Sequence, residues 1–327
     1  MKRLLSIFIA LVVSAMSLTV DAQQLKFNEN GEFKILQLTD IHYIYGDERA
    51  LPSLECIERT ISTEMPDLIV VTGDLIYGKP ANESFRTVME AINKFGIPFC
   101  FTFGNHDDEN GLSRSELYDI AREYSNNVQP DRGDAVSPDY CLSILSHDGS
   151  RTASVIYLFD SNAYCKKKNI GGYDWIHRNQ IEWYCERSKA FTKANGDSVV
   201  PSVAFFHIPV PEFGQAASDN NVAITGTRME SGGFPKVNSG LFTAMQEMGD
   251  IMGIFVGHDH DCDFAADYKG ILLAYGCYSG GNTVYNHLPN GGRVVILKEG
   301  QRRLDTYISR KNGRCLEVTY PDSFSRK

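Results

Sequence analysis

Five short polar tips in this chain carry residue types that bind metal ions: Asp40-Ile41-His42, Gly73-Asp74, Gly104-Asn105-His106-Asp107, His207 and Gly257-His258-Asp259-His260. They hold five of the eight histidines, and each follows an apolar run. Carboxylate, imidazole and amide oxygen are hard or borderline donors, suited to Fe, Mn or Zn, and no thiolate stands among them. Two ions about 3.5–4 Å apart lower the pKa of a shared water and neutralise an anionic ester, so the chemistry indicated is metal-assisted hydrolysis of a phosphate ester. Asp-x-His alone is a short pattern that recurs by chance. Five such tips in order are not, because so many polar groups at strand ends would cost several kcal/mol if left without partners.

The elements that must position them follow from periodicity. Phe33–Thr39, Asp67–Thr72 and Ile97–Phe103 read as strands, the second an almost unbroken apolar run of the kind buried on both faces. Between them Pro52–Glu64 and Asn82–Phe95 show helical spacing. This β-α-β-α-β order predicts an α/β fold with parallel strands and right-handed crossovers, and with ligands at the strands' carboxyl ends. Further on, Tyr140–Leu145 and Thr152–Asp160 are expected to pair around a turn. Ser113–Tyr124, Ile176–Ala194 and Leu241–Met248 read as helices. Ser198–Phe206 and Ile251–Val256 are strands delivering His207 and the GHDH tip. Pro209–Ser239, rich in Gly, Asn, Ser and Pro, reads as a long functional loop. Gly270–Tyr275, Arg293–Lys298 and Arg303–Ser309 read as closing strands.

Composition is that of a soluble globular chain, 43% hydrophobic and 22% charged over 327 residues, with a formal charge of -9. That balance argues against a general nucleic-acid-binding surface. Residues 1–22 read as a cleaved signal peptide. Lys2 and Arg3 precede the apolar stretch Leu4–Val13, and Val20-Asp21-Ala22 has small-residue cleavage grammar. Ser14, Ser17, Thr19 and Asp21 interrupt the run of about 20 apolar residues that a membrane anchor needs. With no Cys near the cut, no lipid anchor is expected either. Removing the segment takes away a net +1 and leaves residues 23–327 at -10, a single domain expected in the periplasm or outside the cell. Export permits disulfides, but the eight cysteines show no CxxC spacing and a core of this size needs no staples.

With these residues in hand, the chain resembles the calcineurin-like metallophosphoesterase superfamily, in matching order from about Phe33 to His260. Phe206-His207-Ile208-Pro209-x-Pro211-Glu212-Phe213, and GHDH followed by Asp263, resemble the short purple-acid-phosphatase-like subgroup of plants and fungi and its exported bacterial relatives. The resemblance implies two mixed β-sheets packed as a sandwich flanked by helices, a four-layer αββα arrangement. It also implies a two-metal centre: one ion held by Asp40, His42, Asp74 and His260, the other by Asp74, Asn105, His207 and His258, with Asp74 bridging. His106 is implied as general acid over the leaving oxygen. Asp107 is expected either to orient His106 or to cap the next loop. Hydrolysis of a small phosphate monoester by a metal-bridging hydroxide is the implied activity. Gly73-Asp74-Leu75-Ile76-Tyr77 also resembles the purple acid phosphatase motif whose Tyr ligates iron. Those enzymes have Asp-x-Gly at the first tip, whereas this chain has His42 there, so Tyr77 is expected to pack rather than ligate.

Two rival readings keep the same tips: a phosphodiesterase or nuclease, and a non-catalytic periplasmic metal- or phosphate-binding protein. The charge argues against a polyanionic substrate. A surface structural protein would need no such constellation. Arg228 is a candidate phosphate clamp on the rim, and specificity is expected in residues 161–175 and 209–240. His147 falls in a turn, His177 at the start of a helix and His287 in a polar loop, and none of the three belongs to a ligand tip.

Overall fold

A computed structural model describes residues 24–324, so the expected signal segment lies outside the described residues. The strands are β1 (Glu32–Leu38), β2 (Leu68–Thr72), β3 (Phe99–Thr102), β4 (Tyr140–Leu145), β5 (Thr152–Leu158), β6 (Ser202–Phe205), β7 (Ile224–Thr225), β8 (Ile251–Val256), β9 (Ala265–Tyr268), β10 (Ile271–Tyr275), β11 (Gly291–Lys298), β12 (Leu304–Arg310) and β13 (Gly313–Tyr320). The helices are α1 (Leu51–Glu64), α2 (Ala81–Asn93), α3 (Arg114–Ala121), α4 (Arg178–Ala194), α5 (Pro211–Ser218) and α6 (Leu241–Met248). None of them is long and apolar enough to cross a membrane.

The strands form two mixed sheets, ordered β13-β12-β11-β1-β2-β3 and β4-β5-β6-β8-β10-β9-β7. β1, β2 and β3 are mutually parallel, as are β5, β6, β8 and β10. Side chains alternate across each strand, which explains why the central strands are apolar at nearly every position. In β1 and β2, Phe33, Ile35, Leu68 and Val70 face the second sheet, packing with Leu158, Phe205, Phe255 and Leu272. The intervening Leu36, Leu38, Ile69 and Val71 face Ile57, Phe85, Val88 and Leu117 of α1–α3. On the far side, Val155, Tyr157, Ile254 and Leu273 pack against Tyr184, Phe213 and Met245 of α4–α6. The result is the helix–sheet–sheet–helix layering that the family resemblance implied.

Polar groups tie the sheets together near the site. Gln37 and Arg293 are neighbours in register on β1 and β11. Gln37 donates across the sandwich to the Val256 carbonyl (3.0 Å), and the fully buried Arg293 donates to the carbonyls of Tyr275 and Asp263. Both sheets are thereby pinned close to the carboxyl ends of β1 and β8, where two of the tips emerge.

Four elements depart from expectation. α5 lies inside the segment read as a loop; its eight residues start at a proline and include Gly214, which lowers helix propensity, but Phe213 and Ala216 are buried against the second sheet. The edge strands β7 and β13, and β9 beside β7, have no counterpart among the expected elements, because a two-residue strand, Ala-Ala-Asp-Tyr and a half-exposed, glycine-led strand carry little alternation. All eight cysteines are free thiols.

Candidate metal centre

Each tip leaves a central strand at its carboxyl end. Asp40 and His42 follow β1, Asp74 follows β2, Asn105 and His106 follow β3, His207 follows β6, and His258 and His260 follow β8. The ligand atoms of Asp40, His42 and His260 lie within 4.8 Å of one another, and so do those of Asp74, His207 and His258. Asp74 Oδ2 links the groups, 3.2 Å from His207 Nε2 and 3.6 Å from His42 Nε2. All six side chains are buried, as is that of Asn105.

Whether this set fits metal ions is decided by its lone pairs. His207 Nδ1 donates to the Thr72 carbonyl and His260 Nδ1 to the Tyr285 carbonyl, both at 2.8 Å. A carbonyl only accepts, so these rings present Nε2 inward, the arrangement that orients a ligating histidine. His42 Nε2 faces His260 Nε2 at 3.0 Å, and His258 Nδ1 faces His207 Nε2 at 3.3 Å. Asn105 Oδ1 is buried with no hydrogen-bond partner. Facing imidazole nitrogens and an orphaned amide oxygen around two carboxylates call for positive charge at the centre. The donor set fits two ions.

The backbone around the ligands is unusual. Asp40, His42, Asp74 and His258 all have φ between 47° and 78°, a region that non-glycine residues occupy at a cost of roughly 1–3 kcal/mol each. The loops also approach so closely that a Cβ on Gly104 would run into the Asp74 carboxylate, and one on Gly257 into the Thr39 hydroxyl. These glycines are needed for proximity rather than for a turn.

Asp107 holds the Asp74 part of this arrangement. The expectation that it orients His106 is corrected here: its carboxylate turns inward and accepts from the backbone N–H of Gly104 (2.8 Å), Asp74 (3.0 Å), Leu75 (2.7 Å) and Ile76 (3.3 Å). It therefore ties the loop after β3 to the loop after β2. Burial and the neighbouring Asp74 charge raise its pKa to about 6, so it is ionised at neutral pH. His106 is instead met at Nδ1 by Glu109 Oε2, 2.6 Å away. The His106 N–H donates to Asp74 Oδ1 at 2.9 Å, which fixes the main chain against the carboxylate that links the two groups. The Tyr77 ring stands edge-on to the rings of His42 and His106, with centroids 5.3 and 5.0 Å apart.

Electrostatics separate the histidines. Burial lowers His42 and His258 well below the ordinary value, so both are neutral and ready to ligate. Burial would also lower His207, but Asp74 and Asp40 outweigh it and raise His207 to about 9. For Asp74, burial is outweighed by His207 and His42, which hold its carboxyl well below the usual range. Burial raises Asp40, against the opposing pull of His207 and His260.

A cavity of about 240 Å³ opens over the ligands, lined by Asp74, His106, Tyr173, Glu230 to Gly233, His258 to His260 and Tyr285. No Lys or Arg is among these lining residues. Arg228, the expected phosphate clamp, instead donates to the Ala217 carbonyl at the end of α5. A larger cleft of about 620 Å³ adjoins at Asn105 and Glu109 and runs past Arg114, Tyr164, Lys166 and Asp174. Of the segments expected to set specificity, 161–175 reaches this cleft and residues 230–233 wall the cavity. Arg114, which carried no motif, is buried, pairs with Asp160 and donates to the Gly104 carbonyl, steadying the tip from behind. His147, His177 and His287 each meet a carboxylate, respectively Glu299, Asp174 and Asp261.

The model of the calcineurin-like phosphoesterase family matches residues 33–262, and the chain belongs to that family. It is 34% identical over 326 residues to a protein of Arabidopsis thaliana named probable inactive purple acid phosphatase 14, covering 87% of this chain and 79% of that one. Phosphatase DCR2 of Saccharomyces cerevisiae is 28% identical, with 91% of this chain and 57% of that protein covered. A solved dimetal phosphatase from Danio rerio shares the fold, with a TM-score of 0.61 at 14% identity over 90% of this chain and 99% of that one.

Two outcomes are expected. Asp107→Ala strands four buried N–H groups, so it should cost at least about 3 kcal/mol in the urea unfolding free energy of the metal-free protein and weaken metal binding about 10–100-fold. Metal uptake should also depend on pH. His207 must lose its proton to ligate, so affinity in chelator competition should climb by up to about tenfold per pH unit and level off above its pKa. A flat profile between roughly pH 6.5 and 9 would contradict a protonated His207.

Proposed function

We propose that this protein is an exported two-metal phosphatase that hydrolyses small phosphate monoesters. The observation that carries the reading is Asp74 placed between two buried His/Asp groups, with His106 beside it on the cavity wall. Carboxylate, imidazole and amide donors suit Fe, Mn or Zn. Bound there, two such ions supply Lewis acidity, neutralise phosphate charge and make water nucleophilic near neutral pH. The chain's own residues do the rest. Asp40, His42 and His260 hold one position, and Asn105, His207 and His258 the other, with Asp74 shared. His106 donates a proton to the leaving oxygen as the P–O bond breaks.

The choice of a small monoester rests on the small cavity, its lack of cationic lining and the net charge of -9, which together disfavour a polyanion such as nucleic acid. Export is supported by the signal-like residues 1–22, and a periplasmic or secreted location follows from that reading. A second reading, phosphodiester hydrolysis, is favoured by one feature: the adjoining cleft has room for a second ester substituent. The plant relative's name includes the word inactive. The reading of turnover here rests on the full ligand set and His106 in this chain.

The test is turnover of 4-nitrophenyl phosphate against bis(4-nitrophenyl) phosphate after reconstitution with Fe, Mn or Zn. Monoester turnover should dominate, and Asp74→Asn should lower it by at least about 10³-fold, as expected when a bridging ligand is weakened. Diester preference would move the reading to the alternative. Bound metal without turnover on either ester would favour a binding protein.

A further inference from the structure

We propose that Glu109 is the positioning residue of His106, fixing which ring nitrogen delivers the proton and therefore how well the enzyme handles poor leaving groups. The inference rests on the phosphatase reading above and deepens it. Three consecutive carboxylates follow His106, and the structure gives them three different tasks. Asp107 is consumed by four backbone N–H groups. Asp108 faces the Arg114 guanidinium at 3.5 Å. Only Glu109 returns to the imidazole, in a turn closed by its own N–H on the His106 carbonyl (3.3 Å), and places Oε2 2.6 Å from Nδ1.

That contact has a directional consequence. A carboxylate accepts, so Nδ1 carries the proton it receives and Nε2 is the nitrogen left for proton transfer. The perpendicular Tyr77 ring on one side and the bond from the His106 N–H to Asp74 restrict the remaining freedom of the ring. In the chemical step the Nε2 proton passes to the alkoxide oxygen as its bond to phosphorus breaks. The ring keeps its Nδ1 proton on Glu109, and solvent later reprotonates Nε2. The pair is partly exposed, with side chains 27% and 40% accessible, so it adds little to fold stability and a structural role does not account for it. Glu109 also lines the adjoining cleft while His106 lines the metal cavity, so the pair stands in the wall between them.

A positioned general acid matters most when the leaving group is a strong base. The experiment compares kcat/KM for 4-nitrophenyl phosphate and glycerol phosphate in the reconstituted full chain, in wild type, Glu109→Gln, His106→Ala and the double variant, with metal content and melting temperature measured alongside. In Glu109→Gln the alkyl-to-aryl ratio should fall about tenfold or more, and in His106→Ala by about 10²-fold or more, the scale of general acid catalysis. The double variant should be no worse than His106→Ala, because the two residues act as one unit. Metal content and melting should match wild type in Glu109→Gln. Equal losses on both esters in Glu109→Gln, with His106→Ala still discriminating, would overturn the assignment of Glu109; so would multiplicative losses in the double variant. Equal losses on both esters in His106→Ala would remove the general acid itself and the proposal with it, while wild-type turnover that Asp74→Asn abolishes would leave the phosphatase reading standing.

Discussion

The structure depends on one buried carboxylate receiving four backbone N–H groups. Asp107 joins the loop after β3 to the loop after β2 and so determines where Asp74 stands relative to Asn105 and His106. Of the four ligands in left-handed backbone conformations, each of which costs free energy, Asp74 is held by that tie directly, Asp40 and His42 by their N–H bonds to the Gly73 and Asp74 carbonyls, and His258 by its N–H on the Asp40 carboxylate. The strain is carried by the fold: parallel strands buried on both faces fix the loop origins, and Gln37 and Arg293 lock one sheet to the other nearby. Metal ions then complete an arrangement whose donors are already aimed.

Charge gives the site a second constraint. The cavity walls carry Asp74, Glu230 and Asp259 but no Lys or Arg. Under the proposed reading, neutralisation of a phosphate inside this cavity falls to the ions. On that reading affinity as well as rate depends on the metals, because no guanidinium fork lines the cavity itself. The same scarcity of cations argues for substrates of low charge.

Much of this was legible in the sequence because ligand chemistry is a matter of residue type, and strand-end placement shows as an apolar run that stops at a polar tip. The order Asp40, Asp74, Asn105, His207, His258 along alternating strands and helices was enough to place them together at the carboxyl ends of strands, while the division into two sheets followed from the family resemblance alone. The division of labour among Asp107, Asp108 and Glu109 was not legible. Three successive acids look alike in one dimension, and only the sharpness of the turn decides which faces inward. Nor do the left-handed conformations of Asp40, His42 and Asp74 announce themselves: Asp and His enter that region more often than other side chains do, but still at only a small share of positions. Helix α5 was hidden by Pro211 and Gly214, and its existence rests on tertiary burial of Phe213 rather than on propensity. Arg228 looked like a clamp because loop arginines often are, but a helix carbonyl had already claimed it.

The central claim is that the two groups meeting at Asp74 hold two ions at once. Anomalous diffraction from crystals of the protein reconstituted with zinc or manganese addresses it directly. The account predicts two peaks per chain, about 3.5–4 Å apart, one beside Asp40, His42 and His260, the other beside Asn105, His207 and His258, and both within reach of Asp74. A single peak, or peaks away from these side chains, would contradict it.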